Sequence, residues 1–279
     1  MLGIFLLGAE TVAAGQGAPA LPSLVSTNLC ADLLVLRLAA PEQILALSRQ
    51  SQALEQTELA ARAGAYPSHR GSIEELLALK PDLVLAYAGW GGRRHGELLA
   101  RQGIEIIEMP YPGSWEDALA TARDLGARIG RAASARQVSR AAAARMRALA
   151  ASMPPWLALY LRPNGGTAGA GTYVDDLLRL LGLRNLAREQ GIRGWSPFPL
   201  EQLVMSPPGL ILLGYFNHDQ PLQASGLARH PLLRRILADT GSIGLPANGW
   251  GCGGLELLKA AEVMAAAMPP RHPTVSADE

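Results

Sequence analysis

Residues Arg131 to Ser152 run without a single glycine or proline and are dominated by alanine and arginine, both strong helix formers. Gly130 stands before this stretch and Pro154-Pro155 after it, so the helix it specifies is punctuated at both ends. At 1.5 Å per residue it reaches roughly 30 Å, enough to tie two lobes together as a stiff spine. A flexible hinge would need loop composition, which is missing here. The chain of 279 residues therefore reads as an N-terminal lobe over 22–130, a linking helix over 131–152 and a C-terminal lobe over 153–268.

Both halves alternate strand-like apolar runs with helical periodicity, the pattern of α/β lobes with mostly parallel sheets. The expected strands are Ser23–Thr27, Gln43–Leu47, Leu83–Tyr87, Ile104–Met109, Trp156–Leu161, Leu210–Leu213 and Ser242–Leu245. Ser72 with Glu75 forms a capping box, with Ile73, Leu76 and Leu77 as its apolar stripe; Ser114 with Asp117 and Thr172 with Asp175 give weaker signals of the same kind. The block Glu74–Leu85 recurs as Glu201–Leu212, 127 positions later. Each copy is a short helix opened by a glutamate, a proline stop and a buried strand, as expected of two lobes of related construction.

The apolar run Met1–Gly8 and the small residues that follow make 1–21 a signal peptide or an apolar tail, and 269–279 reads as a disordered tail. Twenty-five basic against 24 acidic side chains leave a net charge of +1, which gives no global attraction for nucleic acid or anionic lipid. A soluble monomer is expected. Cys30 and Cys252 are too few and too far apart for a zinc site, and either a disulfide or two small half-buried side chains fits them.

Trp90, Trp195 and Trp250 each stand beside glycine or proline in loops, where an indole either folds over its own lobe or stacks on a ligand. Trp115 and Trp156 read as core. Neither a nucleophile elbow nor a Walker loop is present, and the five histidines have no ligand spacing, so the expectation is no enzyme, no cofactor and no metal site. The glycine-rich segment Gly165–Gly171 does not have dinucleotide spacing and reads as a pliable loop at a cleft rim.

In order and spacing, the run from Gly71 through Trp90-Gly91-Gly92 to Leu98–Ile104, with Arg193-Gly194-Trp195-Ser196-Pro197, resembles the helical-backbone class of periplasmic binding proteins. That class serves cobalamin, ferric siderophore and haem importers, and the likeness is greatest to its cobalamin-binding branch. The resemblance implies a bulky metal chelate, a corrinoid first and a ferric siderophore or haem second, held between the lobes and delivered to an ABC permease from the periplasm. It implies little lobe motion. Trp90, Trp195 and Trp250 would stack on the chelate, with Tyr87, Arg93 and Arg193 as polar contacts. Glu74 and Glu201 match the glutamates, one per lobe, that dock such proteins on their permease subunits. Cys30 and Cys252 depart from the class pattern; if both line the cleft, they would bridge the lobes or touch the ligand.

Overall fold

The computed structural model describes residues 20–53, 58–87, 90, 92–214, 230–246 and 250–268. The expected signal peptide and C-terminal tail lie outside them, apart from residues 20 and 21.

The N-terminal lobe begins with β1 (Leu24–Ser26), α1 (Leu29–Leu38), β2 (Ile44–Ser48), α2 (Glu58–Ala63) and β3 (Ser68–His69). It continues through α3 (Ile73–Leu79), β4 (Leu83–Tyr87), α4 (Gly92–Ala100), β5 (Glu105–Met109) and α5 (Trp115–Arg128). Its sheet has the order β3-β2-β1-β4-β5 with parallel pairings. After the linking helix α6 (Ala132–Ser152) come β6 (Leu157–Leu161), β7 (Gly166–Ala168), α7 (Tyr173–Leu180), β8 (Arg184–Asn185) and α8 (Leu186–Glu189). The C-terminal lobe ends with β9 (Trp195–Pro197), α9 (Leu200–Met205), β10 (Leu210–Leu213), α10 (Pro231–Asp239), β11 (Gly241–Gly244) and α11 (Leu257–Ala267). Its sheet, β11-β10-β6-β8, is again parallel, and β7 pairs antiparallel with β9 beside it.

Local chemistry explains where the elements start. The hydroxyls of Ser72, Ser114 and Thr172 accept from the amides of Glu75, Asp117 and Asp175, and Glu75 completes the capping box. The repeated blocks become α3–β4 and α9–β10, and β4 and β10 hold equivalent places beside β1 and β6. Glu74 and Glu201 are each the second residue of their helix and are exposed.

The linking helix buries Ala135, Ser139, Ala142, Met146 and Leu149, one stripe at helical spacing. It packs along α5 and also touches α1 and α11, so it bears on both lobes. A single apolar cluster runs from Leu24, Leu36 and Leu125 to Tyr160, Leu177 and Leu257. The lobes therefore share a core, and each fully buried leucine in it contributes roughly 1.5–3 kcal/mol. Arg37 Nε donates to Glu256 at 3.1 Å and the Trp115 amide donates to Asp176 at 2.8 Å, both across the lobe boundary.

Gly165–Gly171 is not the pliable loop expected from its composition. Gly166–Ala168 form β7, and the amides of Gly169 and Ala170 donate to Gly194 and Ile192 at 2.9 Å, which also takes them away from any phosphate cradle.

Candidate ligand cleft

In parallel α/β sheets, ligands bind beyond the carboxyl ends of the strands. Here the segments following β5, β6, β7 and β11, with Trp195 at the start of β9, converge on a cavity of about 430 Å³ between the lobes. Tyr111 and Pro112 line it from the N-terminal lobe, and Arg162, Tyr173, Trp195 and Cys252 from the C-terminal lobe. Trp195 remains 46% exposed and Tyr111 60% exposed, so large aromatic area faces the open cleft. The Arg162 guanidinium lies over the Trp195 ring at 5.4 Å, a cation–π contact that places positive charge beside the aromatic wall.

Trp195 is backed by other rings. Tyr173 is 5.4 Å from it and Tyr160 6.1 Å, and both contact Trp250 at 5.7 Å. Trp250 donates its indole N–H to the Tyr160 hydroxyl at 3.1 Å and is only 1% exposed. It is thus the floor under the wall, and the expectation that it stacks on a ligand is corrected. Its loop fits there because Gly253, with φ +62°, carries no side chain: a Cβ would lie 2.9 Å from the Tyr173 ring and 3.1 Å from the Pro112 carbonyl oxygen.

Trp90 packs back on its own lobe beside Val25, Leu76 and Val84, with His95 at 5.6 Å. Tyr87 is 2% exposed and lies under Tyr111, ring centroids 4.6 Å apart. Burial, reinforced by Glu256 and Tyr111, holds its phenol well above the usual tyrosine range, so it is a neutral support for Tyr111 and not a surface contact. Arg193 is exposed, its backbone bridging to Ala170, and does not line the cavity. The Arg93 side chain lies outside what is described.

Cys30, at the start of α1, and Cys252 form a disulfide with Cα atoms 5.4 Å apart. It joins the two lobes, and Cys252 faces the cleft. Within the first turn of α1, Asp32 is fully buried and accepts from the Ser26 and Ser48 hydroxyls and the Ser48 amide. Burial pushes its carboxyl up to about 6 despite those bonds. His69 is buried as well. Its Nδ1 accepts from the Gly71 amide at 2.9 Å, so Nε2 carries the proton and donates to the Ser26 carbonyl at 2.8 Å. Among the described residues no group of His, Cys, Asp and Glu could hold a metal ion, and no helix there is long and apolar enough to cross a membrane.

Residues 24–238, more than half of the chain, match the family described as periplasmic binding protein. The chain belongs to that family. Among solved structures, this periplasmic binding protein is similar to the periplasmic heme-binding protein HutB of Vibrio cholerae, at 20% identity and a TM-score of 0.71 over 88% of this chain and 98% of that one. The periplasmic heme-binding protein RhuT from Roseiflexus sp. RS-1 in apo form gives 20% identity and 0.69, over 89% and 98%. The periplasmic vitamin B12 binding protein BtuF of Vibrio cholerae gives 17% and 0.61, over 88% and 96%. At these identities the likeness concerns the fold. No match was found among curated proteins.

Sequence reasoning missed Tyr111, Tyr173 and Arg162 as cleft residues. The available signal was their place, each within a few residues of a strand end or loop that faces the opposite lobe.

Proposed function

We propose that this periplasmic binding protein is exported, captures a bulky, flat metal chelate in the interlobe cleft and delivers it to an ABC permease. The observation that carries the reading is the exposed Trp195 face, braced by Tyr173 and flanked by Arg162, opposite the exposed Tyr111. A planar macrocycle gains apolar burial and aromatic contact from such walls, and the guanidinium suits polar or acidic groups at its edge.

A corrinoid is the finer reading, supported by the local resemblance around Gly71–Ile104 and Arg193–Pro197. An anionic chelate, haem or a ferric siderophore, is the second reading, favoured by Arg162 within the cleft itself. Binding and delivery need no catalysis. Glu74 and Glu201, exposed at matched points of the two lobes, would orient the protein over the permease subunits. Purified protein incubated with cobalamin, haem and several ferric siderophores tests the proposal by absorption spectroscopy and mass spectrometry. One coloured, stoichiometric complex is expected; no complex with any of them at micromolar concentration would overturn it.

A further inference from the structure

The linking helix carries no acidic residue, yet Arg136 and Arg140 stand one turn apart on its exposed side. Like charges at this spacing repel. Between them in sequence is Ser139, which is 2% exposed and whose hydroxyl has no hydrogen-bond partner. A buried hydroxyl without a partner is uncommon and calls for an explanation in each case.

The packing of α5 on α6 makes room beside that hydroxyl. The two helices meet closely at Gly126, where a Cβ would lie 2.1 Å from the Ala135 Cβ. Toward the N-terminal end of α5 they flank an open cavity of about 270 Å³. Leu119, Ala143 and Ser139 line it together with Arg123, Arg136 and Arg140. Glu116, also at the cavity, is paired with Arg123 at 2.9 Å. No acidic partner lies within ion-pair distance of Arg136 or Arg140 among the described residues. None of these residues belongs to the ligand cleft.

We infer that this cavity is a second binding site, for a small phosphate-bearing anion. A tetrahedral oxyanion offers enough acceptors to engage two guanidinium forks and the Ser139 hydroxyl together, which a two-oxygen carboxylate does less well. A short organic substituent on the phosphate would lie on Leu119 and Ala143.

The test uses the full protein at low ionic strength, titrated calorimetrically with inorganic phosphate and with glycerol 3-phosphate. Cosedimentation with phosphatidylglycerol vesicles, against phosphatidylcholine vesicles, separates a lipid headgroup from a free phosphate. Arg140→Gln is expected to weaken phosphate binding about tenfold, as for loss of a hydrogen bond to a charged group. Ser139→Ala places the best helix former in α6 and removes a buried hydroxyl. It is expected to fold at least as well as the parent and still bind phosphate more weakly. Binding to phosphatidylglycerol vesicles alone, with the same residue dependence, assigns the headgroup as the source. No binding to either kind of probe, or binding undiminished in both variants, overturns the site.

Discussion

Removing the Cys30–Cys252 bridge is expected to destabilise the protein without unmaking its fold. The bridge spans 222 residues of sequence and joins lobes that are otherwise linked by α6, by the shared core and by Arg37–Glu256. Closing so long a loop restricts the unfolded chain by an amount that chain-entropy bookkeeping sets at ~5 kcal/mol, whereas disulfides commonly deliver about 2–4 kcal/mol. With a urea dependence of about 3 kcal/mol per molar, a loss of 2 to 5 kcal/mol moves the unfolding midpoint down by roughly 0.7 to 1.7 M. The assay is urea unfolding of the oxidised protein, the protein with reductant, and the Cys30→Ser, Cys252→Ser double variant. The reduced protein and the variant should share the lower midpoint, and reductant should leave the variant unchanged. A double variant as stable as the oxidised parent would refute the view that the bridge clasps the lobes.

Three further outcomes follow from buried and exposed groups. Asp32 titrates at about 6 in the folded protein against an ordinary 3.8, so its protonated form favours the fold. The stability it adds is fully present below pH ~3.8 and is lost as pH rises through ~6, up to ~3 kcal/mol, and Asp32→Asn should remove that part of the pH dependence in urea unfolding at pH 4 and 7. Trp250→Ala, which empties the floor beneath Tyr160 and Tyr173, should cost about 3–5 kcal/mol of stability; an unchanged melting temperature would contradict its core role. Glu74→Lys with Glu201→Lys should abolish chelate uptake in cells while leaving binding and melting temperature nearly unchanged, and normal uptake would exclude the docking role.

What the sequence disclosed was what depends on neighbours along the chain. The caps at Ser72, Ser114 and Thr172, the strands Leu83–Tyr87 and Leu210–Leu213, the linking helix and the paired blocks are all local patterns of period, turn and stop residues. The cleft was harder to read, because its walls come from residues far apart. Glycine neighbours made Trp250 look like an exposed loop residue, but the second lobe's own Tyr160 and Tyr173 enclose it. Tyr87 ends a strand at the cleft side, as expected, yet Tyr111 covers it. The cysteines, 222 positions apart, could be paired only once the lobes were set side by side. Arg162 carries no motif; its role comes from the indole of Trp195, which a β7–β9 pairing brings beneath it.

The account turns on Trp195 as the face that holds the chelate, and calorimetric titration of that chelate into the parent protein and Trp195→Ala measures it directly. Because Trp195 is half exposed, its removal should leave the melting temperature nearly unchanged. An aromatic contact contributes about 0.5–1.5 kcal/mol beyond the area it buries, so the dissociation constant should rise about tenfold. Equal affinity in the two proteins would contradict the cleft as the site of capture.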